Sequence, residues 1–369
     1  MGSSEPGRLS GLRGLARPAH VILIVLLSGF TLAAFLTPGD RHGGINQYKR
    51  SKFVDMVEGR ANKPFVYRTL LPSAVRLVTH ATPESLRARV AAAVERAPAG
   101  RAIFERLKWE TSAAYAYFVA TALMWVGFLG FAYFAAGLVM HTCGIEETMR
   151  RRTALSAVAL LGLPAFFVSS SYIYDPATLV LFTATALFLA RGEMRRFLVS
   201  FAFACINKET AIVLIPMAGV LWWKRYPRAR YWGMMAALAV IYVTIKSSIS
   251  YAFRENPGRF VESHFVDSNL QALASGWRFG DLVVWLVLVG LVTYRWRSKP
   301  FFLRVALIST AIPLAGLATF LGGLDEWRGY YEVYPVALAL AVDSVIRVRR
   351  DLRAAAPAGS SGRRPPGSR

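Results

Sequence analysis

Acidic residues are scarce in this chain: 22 Asp and Glu stand against 44 Lys and Arg in 369 residues, a formal net charge of +22. Charge of either sign is thin, at 18% of residues, whereas 54% are apolar and the mean hydropathy is +0.37. A soluble protein this basic points to nucleic acid. Here the apolar residues fall in runs long enough to cross a bilayer, so the excess of cations reads as a topology signal. That excludes a soluble enzyme, a disordered basic tail and a transcription factor. Cysteine is nearly absent too, and neither Cys143 nor Cys205 reads as a disulfide or a metal site. The five histidines, His20, His42, His80, His141 and His264, are scattered, and no carboxylates stand at ligand spacing. No metal or other cofactor is therefore expected, although nothing in the sequence forbids a divalent ion. No internal repeat suggests a transporter built from two halves.

What is present is a series of apolar segments: Ala19 to Leu36, Ser112 to Met140, Thr153 to Ser170, Ala177 to Ala190, Phe197 to Ile206, Ala211 to Trp223, Tyr231 to Ile249, Asp281 to Tyr294, Phe301 to Gly322 and Pro335 to Val348. The expected fold is an all-α polytopic membrane protein of about ten transmembrane helices. The first run follows Arg8, Arg13 and Arg17, is too long for a signal-peptide core and has no small-residue cleavage motif, so it reads as a spanning helix. Residues 1–18 form a cytoplasmic N-terminal segment, 19–353 the membrane domain, and 354–369, rich in Ala, Pro, Gly, Ser and Arg, a disordered cytoplasmic tail.

Short connections set the orientation. Arg150 to Arg152, Arg191 to Arg196, Lys224 to Arg230, Arg295 to Lys299 and Arg347 to Arg353 are cation-rich and expected inside. Ser171 to Asp175, Asn207 to Thr210 and Leu324 to Tyr334 are poor in cations and expected outside, with both termini cytoplasmic. The 27 residues between Arg196 and Lys224 decide the helix count. As one helix they carry the next basic loop to the wrong face. As two halves of about 10 and 13 residues, rising about 15 and 20 Å, they return it but fall short of a core of roughly 30 Å. Their tip, Asn207-Lys208-Glu209-Thr210, is expected below the membrane surface, where irregular backbone survives only if packed in protein or lining a cavity.

Residues 37–111 form a long extracytoplasmic loop whose stretch Phe65 to Val78, with Arg68 and Arg76, reads as one amphipathic interfacial helix. With the sides assigned, Asp40, Asp55, Arg60, Lys63, Arg68, Asp175, Lys208, Glu209, Asp325, Glu326, Arg328 and Glu332 collect at the outer face. Ionisable groups near membrane depth face a cavity or a partner, which makes this face the candidate site. Lys208 and Glu209, and likewise Asp325 and Arg328, could simply neutralise each other, and a Lys208 to Asp175 pair could tie two turns together. Tyr174-Asp175-Pro176 reads as helix-start chemistry, with the carboxylate at the N-cap. Lys208 has no capping role and is well placed for an anion.

This order of features resembles the type-C fold of integral-membrane glycosyltransferases, the polyprenyl-phosphate-sugar-dependent superfamily that includes protein mannosyltransferases and lipid A aminoarabinose transferases. The features are a first helix and a long outer loop with Asp40, Tyr48, Gly59 and an interfacial helix. An outer-turn Asp175, a basic turn and a short in-and-out pair tipped by Lys208 follow. The resemblance covers Ala19 to Arg230. It implies transfer of a sugar from a polyprenyl-phosphate donor to an extracytoplasmic hydroxyl by inverting displacement, with a carboxylate as base. The usual carboxylate pair closely followed by Tyr is absent, since Asp40 stands eight residues before Tyr48, so the base stays open between Asp40 and Asp55. Tyr48, Arg68, Asp175, Lys208, Glu209, Glu326 and Arg328 are the expected donor-binding residues. The expected partners are the lipid-linked donor and membrane lipids, with no nucleic acid, and the expected location is the inner membrane of a bacterial cell. A transporter or flippase, or a non-catalytic component of an envelope polysaccharide or lipid pathway, is the alternative.

Overall fold

The computed structural model describes residues 8–37, 45–46, 48–167, 171–259, 269, 279–321 and 327–355. Among them there is no strand, and the α-helices are α1 (Arg8–Leu36), α2 (Phe53–Val57), α3 (Leu70–Ala81), α4 (Glu84–Arg96), α5 (Pro98–Leu107), α6 (Ala114–Cys143), α7 (Met149–Leu161), α8 (Asp175–Arg191), α9 (Met194–Asn207), α10 (Leu214–Trp222), α11 (Arg228–Ala252), α12 (Phe279–Thr293), α13 (Phe301–Phe320) and α14 (Tyr334–Ala355). Among the described residues four stretches are long and apolar enough to cross a membrane: Pro18–Leu36, Thr111–Cys143, Arg228–Ala252 and Phe301–Phe320. Large apolar side chains such as Leu26, Val126, Val243 and Ile312 are exposed along them, as expected of a membrane protein. The other six segments read from the sequence are helical as well, α7 to α10, α12 and α14, but shorter or less apolar.

α6 is the spine. Its second half lies along α8, with α1, α7 and α14 on its other sides. Close approach to α8 depends on small residues. A Cβ at Gly130 would meet Val180 at 2.8 Å, one at Gly127 would meet Pro176 at 3.0 Å, and one at Gly137 would meet Leu187 at 3.1 Å. These contacts also fix the register, placing the start of α8 at the middle of α6. The first half of α6 runs on beyond it into a cap formed by α2 to α5. There Phe53 and Trp109 stack on Tyr117, at ring separations of 4.1 and 4.4 Å.

The arginine clusters gather at one end. Arg152 stacks on Tyr133, Arg191 approaches Gly137, and Arg225 approaches Gly192. Lys299 and Arg347 share Asp343, at 3.0 and 2.7 Å, and Arg295 pairs with Asp351. Gly192, at φ +73°, ends α8 at this end in the left-handed conformation that favours glycine.

Two expectations are corrected. Phe65 to Val78 is not one helix: a 3-10 turn, Phe65–Tyr67, stops before Arg68, and α3 starts at Leu70. The ring of Pro72 would clash with the carbonyl of Arg68 in a continuous helix, so Pro72 sits in the first turn of a new one. Thr153 to Ser170 is not continuous either: α7 closes at Leu161, and Gly162 and Pro164 divert the chain into a 3-10 turn, Leu163–Phe166.

Candidate functional site

The 27 residues after Arg196 form a hairpin of two half-helices. Phe197, near the start of α9, packs edge-on against Trp222 at the end of α10, ring centres 5.5 Å apart. At the tip Lys208 is extended, with φ −153° and ψ 146°, which stops α9, and a 3-10 turn, Glu209–Val213, leads into α10. This tip lies at the end of the bundle away from the arginine clusters. It meets the break before α3, the start of α8 and the residues just before α14.

Arg68, only 9% exposed, is at the centre. Its Nη2 donates to Glu209 Oε1 at 2.6 Å and its Nε to Oε2 at 3.4 Å, a two-pronged grip. Its Nη1 donates to the Tyr174 hydroxyl. From the far side Arg328 Nη1 donates to the same hydroxyl at 3.4 Å. Burial works against the Arg68 charge, but the neighbouring Glu209 carboxylate and Tyr174 hold its pKa above the ordinary guanidinium range. Rings run between the two arginines. Phe65 stacks on Tyr172 at 5.5 Å and Tyr172 on Tyr174 at 5.4 Å, with Arg68 over Phe65 and Tyr174 and Arg328 over Tyr172.

Lys208 contradicts two simple pairings. Its Nζ donates to Glu332 Oε1 at 3.0 Å, so it is paired neither with Glu209 nor with Asp175. The Thr210 hydroxyl donates to the same Glu332 oxygen. The Lys208 and Glu332 side chains are 8% and 1% exposed, so the pair is buried. Glu209 turns the opposite way, to Arg68, because neighbours across an extended residue diverge. Asn207 donates to the Tyr174 carbonyl at 3.2 Å and the Thr178 hydroxyl at 2.9 Å, fastening the tip to α8.

Asp175 is the first residue of α8 rather than its N-cap, and Tyr174 holds that position. Its Oδ2 accepts from the Tyr172 amide at 2.9 Å. Asp175 Oδ1, Asn207 Oδ1, Glu332 Oε2 and the Tyr331 hydroxyl are buried without a hydrogen-bond partner among the described residues. Leaving such a group unsatisfied costs about 1–3 kcal/mol. The cluster therefore keeps unused hydrogen-bonding groups of both kinds, since the Lys246 Nζ donor is buried and unpartnered among the described residues as well.

Of the expected site residues, Arg68, Asp175, Lys208, Glu209 and Arg328 converge here. Tyr48 is at the rim, 42% exposed, with its ring edge on Phe65 at 5.3 Å. Asp55 faces Arg60 at 3.8 Å, and among the described residues no hydrogen bond or ion pair joins its side chain to the cluster. Asp40 and Glu326 lie outside the described residues. Sequence reasoning passed over Tyr174, Thr210, Glu332 and Lys246 as binding residues. The lone lysine inside the apolar run of α11 was the available signal for the last. Among the described residues no group of three or more His, Cys, Asp and Glu is placed to hold a metal ion. No protein family, no curated protein and no solved structure matches the chain.

Proposed function

We propose that the chain is a membrane glycosyltransferase that moves a sugar from a polyprenyl-phosphate donor to a hydroxyl on the extracytoplasmic side, with inversion at the anomeric carbon. The observation that carries this reading is the convergence of Arg68 and Arg328 on one hydroxyl, Tyr174. Two guanidiniums aimed at one oxygen suit a phosphate, whose oxygens accept in the same geometry.

In the proposed topology α1, α6 to α9, α10 and α11 to α14 cross or enter the inner membrane of a bacterial cell, and both termini are cytoplasmic. Depth supports it. Pro176 abuts Gly127, sixteen residues before the end of α6, a rise of about 24 Å at 1.5 Å per residue. That is about 6 Å short of the outer boundary of a core of roughly 30 Å, which supports a site just below the headgroup phosphates.

In the reaction the acceptor oxygen attacks the anomeric carbon as the bond from that carbon to the phosphate oxygen breaks. The electron pair leaves with the polyprenyl phosphate, which goes from one negative charge to two, and the hydroxyl proton passes to a carboxylate. Arg68 and Arg328, fixed by stacking before the reaction, stabilise the growing charge. Lys208 acts through Glu332 to hold the hairpin tip in place. Asp40 is the proposed base and Asp55 its alternative, both on the outer loop. The test is transfer from a labelled polyprenyl-phosphate-linked sugar by the purified protein, with release of polyprenyl phosphate as a readout independent of the acceptor.

A further inference from the structure

α11 is the candidate span least buried among the described residues: only 6% of its apolar window is covered, and Trp232, Val240 and Val243 are exposed along it. One stripe is the exception. Leu238 is fully buried, and one turn on the Tyr242 hydroxyl donates to the Glu209 carbonyl at 3.1 Å. Lys246 follows at i+4 from Tyr242, on the face directed at the hairpin tip. Its Nζ is buried and has no hydrogen-bond partner among the described residues.

An ordinary lysine near the end of a spanning helix runs its ammonium out to the headgroup region. Lys246 has turned its ammonium into the protein. The anion within its electrostatic reach is Glu209, and both Glu209 oxygens are taken by Arg68. No ion pair joins Lys246 to Glu209 among the described residues, and Glu332 is already held by Lys208. Among the described residues the Lys246 ammonium therefore has no oxygen of its own. The level is informative: Lys246 lies eighteen residues after Arg228, about 27 Å along the helix from the arginine-rich end. That is about 3 Å short of the outer boundary of a hydrocarbon core of roughly 30 Å, just below the headgroup layer.

The geometry points to Lys246 as an anchoring cation for the phosphate group of a lipid that enters sideways along α11 toward Arg68. This rests on the proposed donor class but assigns a residue and a route that the Arg68–Arg328 pair does not supply. A phosphate approaching between α11 and the hairpin tip meets Lys246 before Arg68. It gives the Lys246 ammonium an oxygen partner, and its apolar tail stays against the exposed face of α11, which carries Val240 and Val243. Free phosphate offers the same oxygens but has no reason to approach through lipid.

The experiment measures binding without any acceptor, in nanodiscs, with a short-chain prenyl phosphate and the matching prenyl alcohol as probes. Wild type should bind the phosphate more tightly than the alcohol. Lys246→Met should weaken phosphate binding at least tenfold, with alcohol binding unchanged, and Lys246→Arg should restore most of it. Because a buried unpartnered charge is removed, the melting temperature of Lys246→Met without ligand should be equal to or above wild type. Equal prenyl-phosphate affinity in wild type and Lys246→Met overturns the proposal, and so does a lowered melting temperature with unchanged affinity. Displacement of the probe by millimolar inorganic phosphate, lost in Lys246→Met, overturns the lipid route. If the binding difference appears but no sugar is ever transferred, the anchor stands and the transferase reading falls.

Discussion

Arg68 and Arg328 are 260 residues apart in the chain, and each directs an Nη1 at the hydroxyl of Tyr174. Arg68 sits in a break forced by Pro72, and Arg328 in a 3-10 turn, Trp327–Tyr330, that packs against α13, so each side chain is aimed by irregular backbone.

The grip of Arg68 is geometric as well as electrostatic. Arg68→Lys keeps the charge but loses the fork on Glu209 and the stacking on Tyr174. Donor binding, measured by titration with a polyprenyl-phosphate sugar, should fall at least tenfold in Arg68→Lys. Arg68→Met should be no better.

Lys208 and Glu332 form a buried pair, so removing one leaves a buried charge behind. Lys208→Met should destabilise by about 3–5 kcal/mol, and the double variant Lys208→Met/Glu332→Leu should recover most of that loss. Thermal and chemical unfolding of the three proteins in detergent checks this. A single variant as stable as wild type contradicts a structural role for Lys208.

Gly130 lets α6 and α8 touch. Gly130→Leu forces a side chain into Val180, and overpacking of this kind costs about 1–3 kcal/mol. A lowered melting temperature is expected, partly rescued by Val180→Ala, which removes the branches the new side chain meets.

Topology is testable with single cysteines in a chain whose Cys143 and Cys205 are replaced by Ala. An impermeant thiol reagent on intact cells should label Ser85→Cys, exposed in α4, and should leave Arg195→Cys, exposed at the start of α9, unlabelled. The reverse pattern inverts the protein.

The sequence carried the hairpin break because length alone decides it: two half-helices too short to span, with Lys208 between them, leave nowhere else for the turn. It carried the arginine-rich end for a similar reason, since the cations recur at each alternate connection. The break at Arg68 was also legible in Pro72, but the apolar pattern on either side masked it. The partner of Lys208 was not legible. Glu332 is 124 residues away and reaches Lys208 only through the packing of α14 against α6, which no local pattern encodes. The same holds for Asp175, whose carboxylate turns back to the Tyr172 amide instead of capping α8.

The most direct test of the transferase account is sugar transfer by purified protein in nanodiscs, supplied with a labelled polyprenyl-phosphate-linked sugar and an extract of envelope acceptors. The account predicts that wild type releases polyprenyl phosphate in step with labelled product, and that Arg68→Met does so at least a hundredfold more slowly while remaining folded. Absence of release by wild type across donor sugars, or equal release by Arg68→Met, contradicts it.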